Sequence, residues 1–286
     1  MPVEPPVTSP RSLTEAYALL AEQPHRPVAG GTDLLVQITG ELGDPPERVL
    51  DIWHLDELRG IRIESNALVL GALTTYSELR RSPLVAEFLP AFAEAAATIG
   101  AAQIQNRGTI GGNVMNASPA GDMLPLLLAC DAQLVAGTAA GERWVPAREF
   151  WPDYRRTALE PTELLLRISI PLLDGRQLRY RKVGTRRAQA ISKVVMALAW
   201  QVDPESADQW RDVHLALGSV AATPIRAAQT EAMLEGAAPT EATADRAAST
   251  LAGELNPIDD VRSSADYRRA VAARVLHRLI REVGSW

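Results

Sequence analysis

Two glycine pairs, each in a cluster of turn residues that leads into an apolar helix start, constrain this chain more than any other feature. Gly30-Gly31 follows a brief apolar segment at 27–29, and Gly111-Gly112 stands in a polar stretch at 106–113. Glycine adopts the positive φ that tight turns need, and it places no side chain in the way of a bulky anion. Exposed N–H groups at a following helix start attract that anion. Two such turns favour a dinucleotide-sized ligand, although an isolated Gly-Gly pair more often forms a tight turn without one.

Polar side chains beside both turns complement such a ligand. The hydroxyls of Thr32 and Thr109 can donate to phosphates. The carboxylates of Asp33 and Asp122 either accept from a ribose or cap the helices that follow them. The chain contains neither G-x-G-x-x-G nor G-x-x-x-x-G-K-[ST], which argues against a Rossmann domain and against a P-loop enzyme.

The supply of metal-binding side chains limits the cofactor chemistry. Cys130 is the only cysteine, so the chain can form no internal disulfide, no C-x-x-C pair and no iron–sulfur cluster of its own. The four histidines lie far apart and match no zinc motif. We therefore expect no metal site, and any redox cofactor bound by this chain is expected to be organic.

Charge and hydropathy exclude two classes of partner. The 286 residues carry 29 basic and 35 acidic side chains, a net charge of -6, without any dominant basic run. This balance argues against nucleic-acid binding. No stretch approaches the ~20 apolar residues that span a bilayer, and residues 1–11 lack the apolar core of a signal peptide. The expected location is the cytoplasm, with no transmembrane segment.

Lysine is rare enough to make each one informative. Only Lys182 and Lys193 are lysines, and all other basic residues are arginines. An ammonium on a flexible stem reaches into a tight cofactor site better than a guanidinium does. Arginines flank Lys182 closely, as on a solvated face, so both interpretations of Lys182 remain open.

Local patterns divide the chain into two regions. Capping boxes beginning at Ser12 and Thr75 predict two short helices, and the alanine-rich run 84–99 predicts one longer helix closed by Gly100. The polar, glycine-bearing stretch from 106–113 through the turn at 117–122 predicts one long loop, and a loop of this length is usually functional. Predicted strands up to residue 170 are 27–29, 48–52, 60–64, 67–71, 133–136, 142–145 and 163–170.

From residue 177 strands come first and helices follow. Such grouping predicts an α+β domain with helices on one face of an antiparallel sheet, joined to the first region by a linker at 171–176. The strands are predicted at 178–183, 191–202 and 213–217, and the helices at 224–234, 240–251 and 264–283.

Several motifs in this order resemble one family, the FAD-binding medium subunits of molybdenum hydroxylases such as xanthine dehydrogenase and aerobic carbon monoxide dehydrogenase. The resemblance covers nearly the whole chain. It rests on Ala29-Gly-Gly-Thr-Asp-Leu-Leu35, Thr109-Ile-Gly-Gly-Asn113, Ala117-Ser-Pro-Ala-Gly-Asp122, and the segments 164–171, 180–192 and 260–268.

The resemblance implies an α+β fold, with an FAD-binding domain of the vanillyl-alcohol oxidase (PCMH) type in two subdomains. These would be residues 1–57 and 58–175, followed by a carbon monoxide dehydrogenase flavoprotein-like domain at 176–286. It also implies which residues bind FAD. Backbone amides of the first turn would bind the pyrophosphate, and the second turn would hold its other side and the ribityl chain. Single residues would bind further along the cofactor. The implied set is Ala29, Gly30, Gly31, Thr32, Asp33, Leu34, Thr109, Gly111, Gly112, Asn113, Asp122, Leu165 and Lys182.

The resemblance further implies a role in electron transfer. A small partner subunit would carry two [2Fe-2S] clusters and a large one the molybdenum-pterin centre, in a dimer of heterotrimers. FAD in this chain would pass electrons from the clusters to NAD, a quinone or oxygen. No side chain of this chain is then required as a catalytic residue, because the substrate is oxidised in another chain.

Two other functions remain alternatives. A free-standing flavoenzyme on a similar FAD domain would need a catalytic residue at the flavin, and the candidate clusters of serine, histidine and carboxylate residues are only loop caps. A flavin-free assembly subunit is the second alternative. The intact glycine pairs at both turns argue against it.

Overall fold

The amino-terminal part of the chain is a small parallel sheet with two helices. The computed structural model describes residues 5–40, 43–186 and 189–286, so residues 187 and 188 of the 180–192 segment lie outside it. The elements are β1 (Val7–Thr8), α1 (Leu13–Glu22), β2 (Arg26–Val28), α2 (Leu34–Thr39) and β3 (Val49–Asp51). The strands pair in the order β1-β3-β2. Helix α1 begins after Ser12, whose hydroxyl accepts from the Glu15 amide as the capping-box spacing predicts.

A second, antiparallel sheet follows. Its strands are β4 (Ile61–Glu64), β5 (Ala67–Gly71), β6 (Gln133–Thr138), β7 (Gly141–Pro146) and β8 (Leu164–Pro171). They pair in the order β4-β5-β8-β6-β7, which includes both predicted hairpins. The turn of the first hairpin holds Ser65 and Asn66 at positive φ, the backbone conformation that tight two-residue hairpin turns require.

The helices between these strands correct two predictions. They are α3 (Tyr76–Arg81), α4 (Pro83–Phe88), α5 (Pro90–Thr98), α6 (Ala102–Arg107), α7 (Ile110–Asn116), α8 (Leu124–Ala129) and α9 (Ala147–Phe150). The single helix predicted over 84–99 is wrong, because Pro90 lacks the amide that would continue α4 and starts a new helix instead. The long loop predicted over 106–122 is also wrong in its first part, which lies mostly in α6 and α7. Only Gly108 and Thr109 separate α6 from α7 there, since Thr109 caps α7.

The carboxy-terminal part is an antiparallel sheet followed by helices, as predicted. Its elements are β9 (Gln177–Val183), β10 (Val194–Asp203), β11 (Ser206–Gly218), β12 (Ile225–Arg226), α10 (Ala228–Leu234), α11 (Glu241–Glu254) and α12 (Ala265–Gly284). The sheet order is β12-β11-β10-β9. The helix predicted from residue 224 begins only at Ala228, because Ile225 and Arg226 pair with β11. Strand β11 begins at Ser206, seven residues before the predicted start at 213.

Strand β10 joins the two parts of the molecule. Its alternate residues Met196 and Leu198 pack into a core with the carboxy-terminal helices. Val195 and Ala197, on the opposite face, join the core that contains α8. The sheet is therefore covered on both faces, by its own helices and by the first region of the chain.

Candidate functional site

The two glycine turns face each other across a cleft that consists of two connected cavities. The turn cavity, of about 150 Å³, lies between the first glycine turn, the second glycine turn and Leu165 on β8. The wide cavity, of about 900 Å³, extends from there to Asp122, Lys182 and the carboxy-terminal domain. Residues shared by both are Thr32, Asp33, Tyr76, Asn113 and Asn116. Ligand pockets occupy roughly 300–1,000 Å³, so the cleft suits an extended organic cofactor.

The structure places every residue of the predicted set on this cleft. Those that line the turn cavity are Ala29, Gly30, Gly31, Thr32, Asp33, Leu34, Thr109, Gly111, Gly112, Asn113 and Leu165. Asp122 and Lys182 line the wide cavity, more than 60 residues from the first turn in sequence. Local signals located each turn, and only the tertiary structure brings them together.

The first turn offers backbone donors to the cleft. Gly31 has φ of +74°, and the chain then enters α2. Within the described parts of the chain, the amides from Gly30 to Leu34 donate to no protein acceptor. A row of unpaired N–H groups beside a cavity is the arrangement that binds phosphate oxygens.

The second turn does not offer free backbone donors, because its amides already donate to acceptors of the protein. The amide of Ile110 donates to the Thr74 carbonyl at 2.9 Å, and that of Gly111 to the Ala72 carbonyl at 2.9 Å. The Gly112 amide donates to the Thr109 hydroxyl at 3.0 Å, which caps α7. The second turn is therefore held rigidly by the protein, and it can offer the cleft side chains and a bare glycine surface rather than free amides.

The structure requires glycine at the four positions of the two pairs for different reasons. A Cβ at Gly30 would lie 1.7 Å from the Arg107 carbonyl oxygen, and one at Gly111 would lie 2.4 Å from the Ala72 oxygen. Close backbone packing therefore requires glycine at positions 30 and 111, and the positive φ favours glycine at position 31. At Gly112 the only near atom is the Thr109 hydroxyl oxygen, at 3.0 Å. Gly112 is therefore the glycine whose missing side chain leaves room in the cleft itself.

Asp122 forms an ion pair instead of a helix cap. Its Oδ2 accepts from the Lys182 ammonium at 2.6 Å, and that ammonium also donates to the Thr98 carbonyl at 3.2 Å. The two side chains are only 10% and 6% exposed. Burial raises the pKa of the Asp122 carboxyl, and the ammonium of Lys182 opposes that rise. The capping interpretation is wrong for Asp33 as well, since its side chain makes no cap hydrogen bond to α2.

Two acceptor atoms on the cleft remain without a donor. They are the buried Oδ1 atoms of Asn113 and Asp122, for which the described residues provide no hydrogen-bond partner. Leaving a buried acceptor unpaired costs about 1–3 kcal/mol. Both side chains line the wide cavity, so a ligand bearing N–H or O–H groups there would satisfy them.

Sequence reasoning missed several residues that line the cleft. Tyr76, buried and shared by both cavities, follows the Thr75 capping box, which locates the helix but not its role in the site. Arg268 on α12 donates to Asp260 at 2.7 Å and to the Ser219 carbonyl, forming the carboxy-terminal wall. The 260–268 segment carried part of the resemblance, and that was the only available signal.

Metal-binding clusters and membrane-spanning helices are both absent from the described residues. In residues 5–40, 43–186 and 189–286, no three His, Cys, Asp or Glu side chains cluster as they would around a metal ion. Within those same ranges, every helix is too short or too polar to cross a bilayer.

Comparison with known proteins agrees with this geometry. The family model of the FAD binding domain in molybdopterin dehydrogenase matches residues 2–173, and that of the CO dehydrogenase flavoprotein C-terminal domain matches 179–283. The glyceraldehyde dehydrogenase medium chain of Sulfolobus acidocaldarius is 34% identical over 273 residues, which are 95% of each chain. The carbon monoxide dehydrogenase medium chain of Hydrogenophaga pseudoflava is 34% identical over 278 residues, 95% of this chain and 94% of the relative.

A solved structure shows the same fold. Carbon monoxide dehydrogenase from Hydrogenophaga pseudoflava, in a form that lacks the Mo-pyranopterin moiety of the molybdenum cofactor, matches with a TM-score of 0.91. Sequence identity is 33%, and the match covers 97% of this chain and 96% of that one. The chain thus belongs to the FAD-binding medium subunits of the molybdenum hydroxylase family, and it is a subunit of an oxidoreductase. The predicted family and the predicted α+β fold class are confirmed.

Proposed function

We propose that this chain holds FAD along the cleft and relays electrons from a partner subunit to an external acceptor. The observation that carries the proposal is the row of unpaired amides from Gly30 to Leu34, facing the bare surface of Gly112 across the turn cavity. Positively polarised N–H groups and an absent side chain are what a diphosphate needs.

Each part of the site has a distinct task in this proposal. The first turn binds the pyrophosphate, and the second turn, anchored by its own hydrogen bonds, forms the opposite wall. Asn113 and Asp122 present unpaired oxygens to donors of the cofactor, and Lys182 holds Asp122 in place. The proposed FAD-binding residues are Ala29, Gly30, Gly31, Thr32, Asp33, Leu34, Thr109, Gly111, Gly112, Asn113, Asp122, Leu165 and Lys182.

The redox chemistry is divided between chains. FAD supplies the ability to accept and pass on electrons, while this protein supplies position and electrostatics. Two [2Fe-2S] clusters and a molybdenum-pterin centre are proposed for a small and a large partner subunit. The single cysteine supports this division, since cluster ligation requires several thiolates. NAD, a quinone or oxygen would be the acceptor.

Assembly as a dimer of heterotrimers is part of the same proposal. Relatives described as medium chains or FAD-subunits, such as the nicotinate dehydrogenase FAD-subunit of Eubacterium barkeri, support a multisubunit enzyme. Their different substrates support the view that another chain selects the substrate.

We also propose the division into units at 1–57, 58–175 and 176–286. The three sheets support it, because each lies entirely inside one of these ranges.

The first test is the visible spectrum of the purified full-length chain. Flavin absorption bands at about one equivalent, and release of FAD identified by mass after denaturation, are the expected result. A colourless protein that also fails to take up added FAD would contradict the proposal and favour a flavin-free assembly subunit.

A further inference from the structure

Trp53 stands directly beside the first glycine turn. It follows β3, whose pairing with β2 continues as the Ile52 amide donates to the Val28 carbonyl at 3.0 Å. Two guanidinium groups lie over its half-buried indole ring. The Cζ of Arg107 is 3.8 Å from the ring centroid and the Cζ of Arg59 is 4.6 Å from it.

Arg107 belongs to the other side of the cleft. It ends α6, two residues before the Thr109 turn. Its carbonyl oxygen packs against the Gly30 backbone, so closely that a Cβ on Gly30 would fall 1.7 Å from that oxygen. Arg107 therefore contacts the first turn with its backbone and Trp53 with its side chain, while its chain continues into the second turn.

The stack of Arg107 on Trp53 links the two sides of the turn cavity. Backbone hydrogen bonds fix the end of α6 and the second turn to their own side of the cleft, since the Tyr76 amide donates to the Gly108 carbonyl at 3.2 Å. The stack of Arg107 on Trp53 adds a side-chain contact from this segment to the β2–β3 side. The side chain of Arg107 is solvent-exposed, and among the described residues its stacking on Trp53 is the interaction that anchors it. Cation–π contacts of this kind are strongest with tryptophan.

We propose that the Arg107–Trp53 stack positions the two glycine turns relative to each other and so determines how tightly FAD is bound. The inference rests on the proposed function as an FAD-binding subunit. The described lining of the turn cavity and of the wide cavity includes neither residue, so both act through the turns rather than by touching the cofactor.

The test is an FAD titration of the flavin-free, full-length protein, followed by quenching of flavin fluorescence. Trp53→Leu and Arg107→Gln should each bind FAD about threefold more weakly, which is the loss expected for a cation–π contact at an exposed site. Trp53→Phe, which keeps an aromatic face, should recover most of the affinity. The double variant should bind no more weakly than Trp53→Leu alone, because that change already removes the contact that Arg107→Gln removes. Flavin-free thermal midpoints should fall by only a few degrees.

Trp144→Leu is the matched control. Trp144 is an exposed tryptophan that also has an arginine over its ring, Arg167 at 5.7 Å, and it lies outside the lining of both cavities. Its FAD affinity should equal that of the wild type. The proposal is overturned if Trp53→Leu and Arg107→Gln bind FAD as tightly as the wild type does. It is also overturned if the two losses of FAD affinity multiply in the double variant, or if Trp144→Leu loses as much FAD affinity as they do. Failure of the wild type itself to bind FAD would instead refute the proposed function.

Discussion

At the scale of single residues, the ion pair between Lys182 and Asp122 shows how the cleft wall is held. Both side chains are nearly buried, and their closest atoms are 2.6 Å apart. Burying two charges costs free energy that their attraction only partly returns, so such a pair adds little net stability. Removing one partner is much more damaging, because the other is left buried without compensation.

Lys182→Ala is therefore predicted to destabilise the flavin-free protein by about 3 kcal/mol near pH 8. The loss should shrink toward pH 5, because burial raises the pKa of Asp122 above its ordinary value and the loss of the ammonium raises it further. A carboxyl with a raised folded-state pKa reduces stability as pH rises through the window above its ordinary pKa of 3.8. Urea unfolding at both pH values checks this.

Lys193→Ala provides the control, since Lys193 is the only other lysine and its ammonium lies 4.9 Å from the Tyr267 ring centroid. The Lys193→Ala variant should lose about 1 kcal/mol or less of its free energy of unfolding, and the loss should be the same at both pH values. If the free energy of unfolding lost in Lys182→Ala does not change with pH, the ionised Asp122 carboxylate is not the cause of that loss.

Cys130 supplies a second prediction at this scale. The thiol is 1% exposed at the end of α8, and burial raises its pKa to about 12. Because the thiolate is the reactive form, the native protein at pH 8 should resist iodoacetamide and the unfolded protein should take up one equivalent. Mass spectrometry after timed alkylation measures both. Equal rates in the native and unfolded states would contradict the buried position.

At the scale of elements, the two glycine turns do different work. The turn before α2 keeps its amides unpaired, whereas the turn before α7 uses them in hydrogen bonds to Ala72, Thr74 and Thr109. A rigid wall opposite a row of free donors is pre-organised, so little ordering has to accompany ligand binding. Gly112 on the rigid wall is the position where a side chain would enter the cleft.

Gly112→Val is predicted to abolish stoichiometric FAD binding while the chain still folds, because the added methyl groups project into the turn cavity. Flavin content after purification and circular dichroism measure the two effects separately. Gly253→Val is matched to it, since Gly253 also lies in a helix, is exposed, and has no atom within 4 Å of the place a Cβ would take. Normal FAD content in Gly112→Val, or equal loss in Gly253→Val, would remove Gly112 from the site.

At the scale of the whole molecule, the two regions share one core. Helix α8 is buried along its whole length, and it packs against β10 and β11 of the carboxy-terminal sheet. Polar contacts cross the same boundary: His214 lies 3.0 Å from the Ala129 carbonyl, and the Ser219 amide donates to the Pro119 carbonyl at 2.7 Å. Each region therefore completes the other, and the wide cavity takes its walls from both.

Residues 1–175 expressed alone are accordingly predicted to aggregate or to remain loosely packed, because removing the carboxy-terminal sheet exposes the apolar side of α8. Size-exclusion chromatography and binding of the dye ANS measure this, with the full chain as reference. A monomer that melts cooperatively and binds no more dye than the full chain would show that the first region folds independently.

Much of the fold could be predicted because it depends on short-range signals. The capping boxes at Ser12 and Thr75 each locate a helix start, and the alternation over 61–71 locates a hairpin. The stretch 106–116 was predicted wrongly, because its glycines resemble a loop while its apolar residues Ile110 and Val114 are buried by a helix. Tertiary packing outweighed local propensity there.

By itself, the sequence determined the family, the two turns and the absence of cluster-forming cysteines, since these depend on residue identity and close spacing. The tertiary structure alone decided that Lys182 pairs with Asp122 across 60 residues, that Arg107 packs on Gly30, and which turn keeps its amides free. The physical reason is that a hydrogen bond or close packing contact depends on distance in space. Residues far apart in sequence acquire that distance only when the two regions fold around a common core.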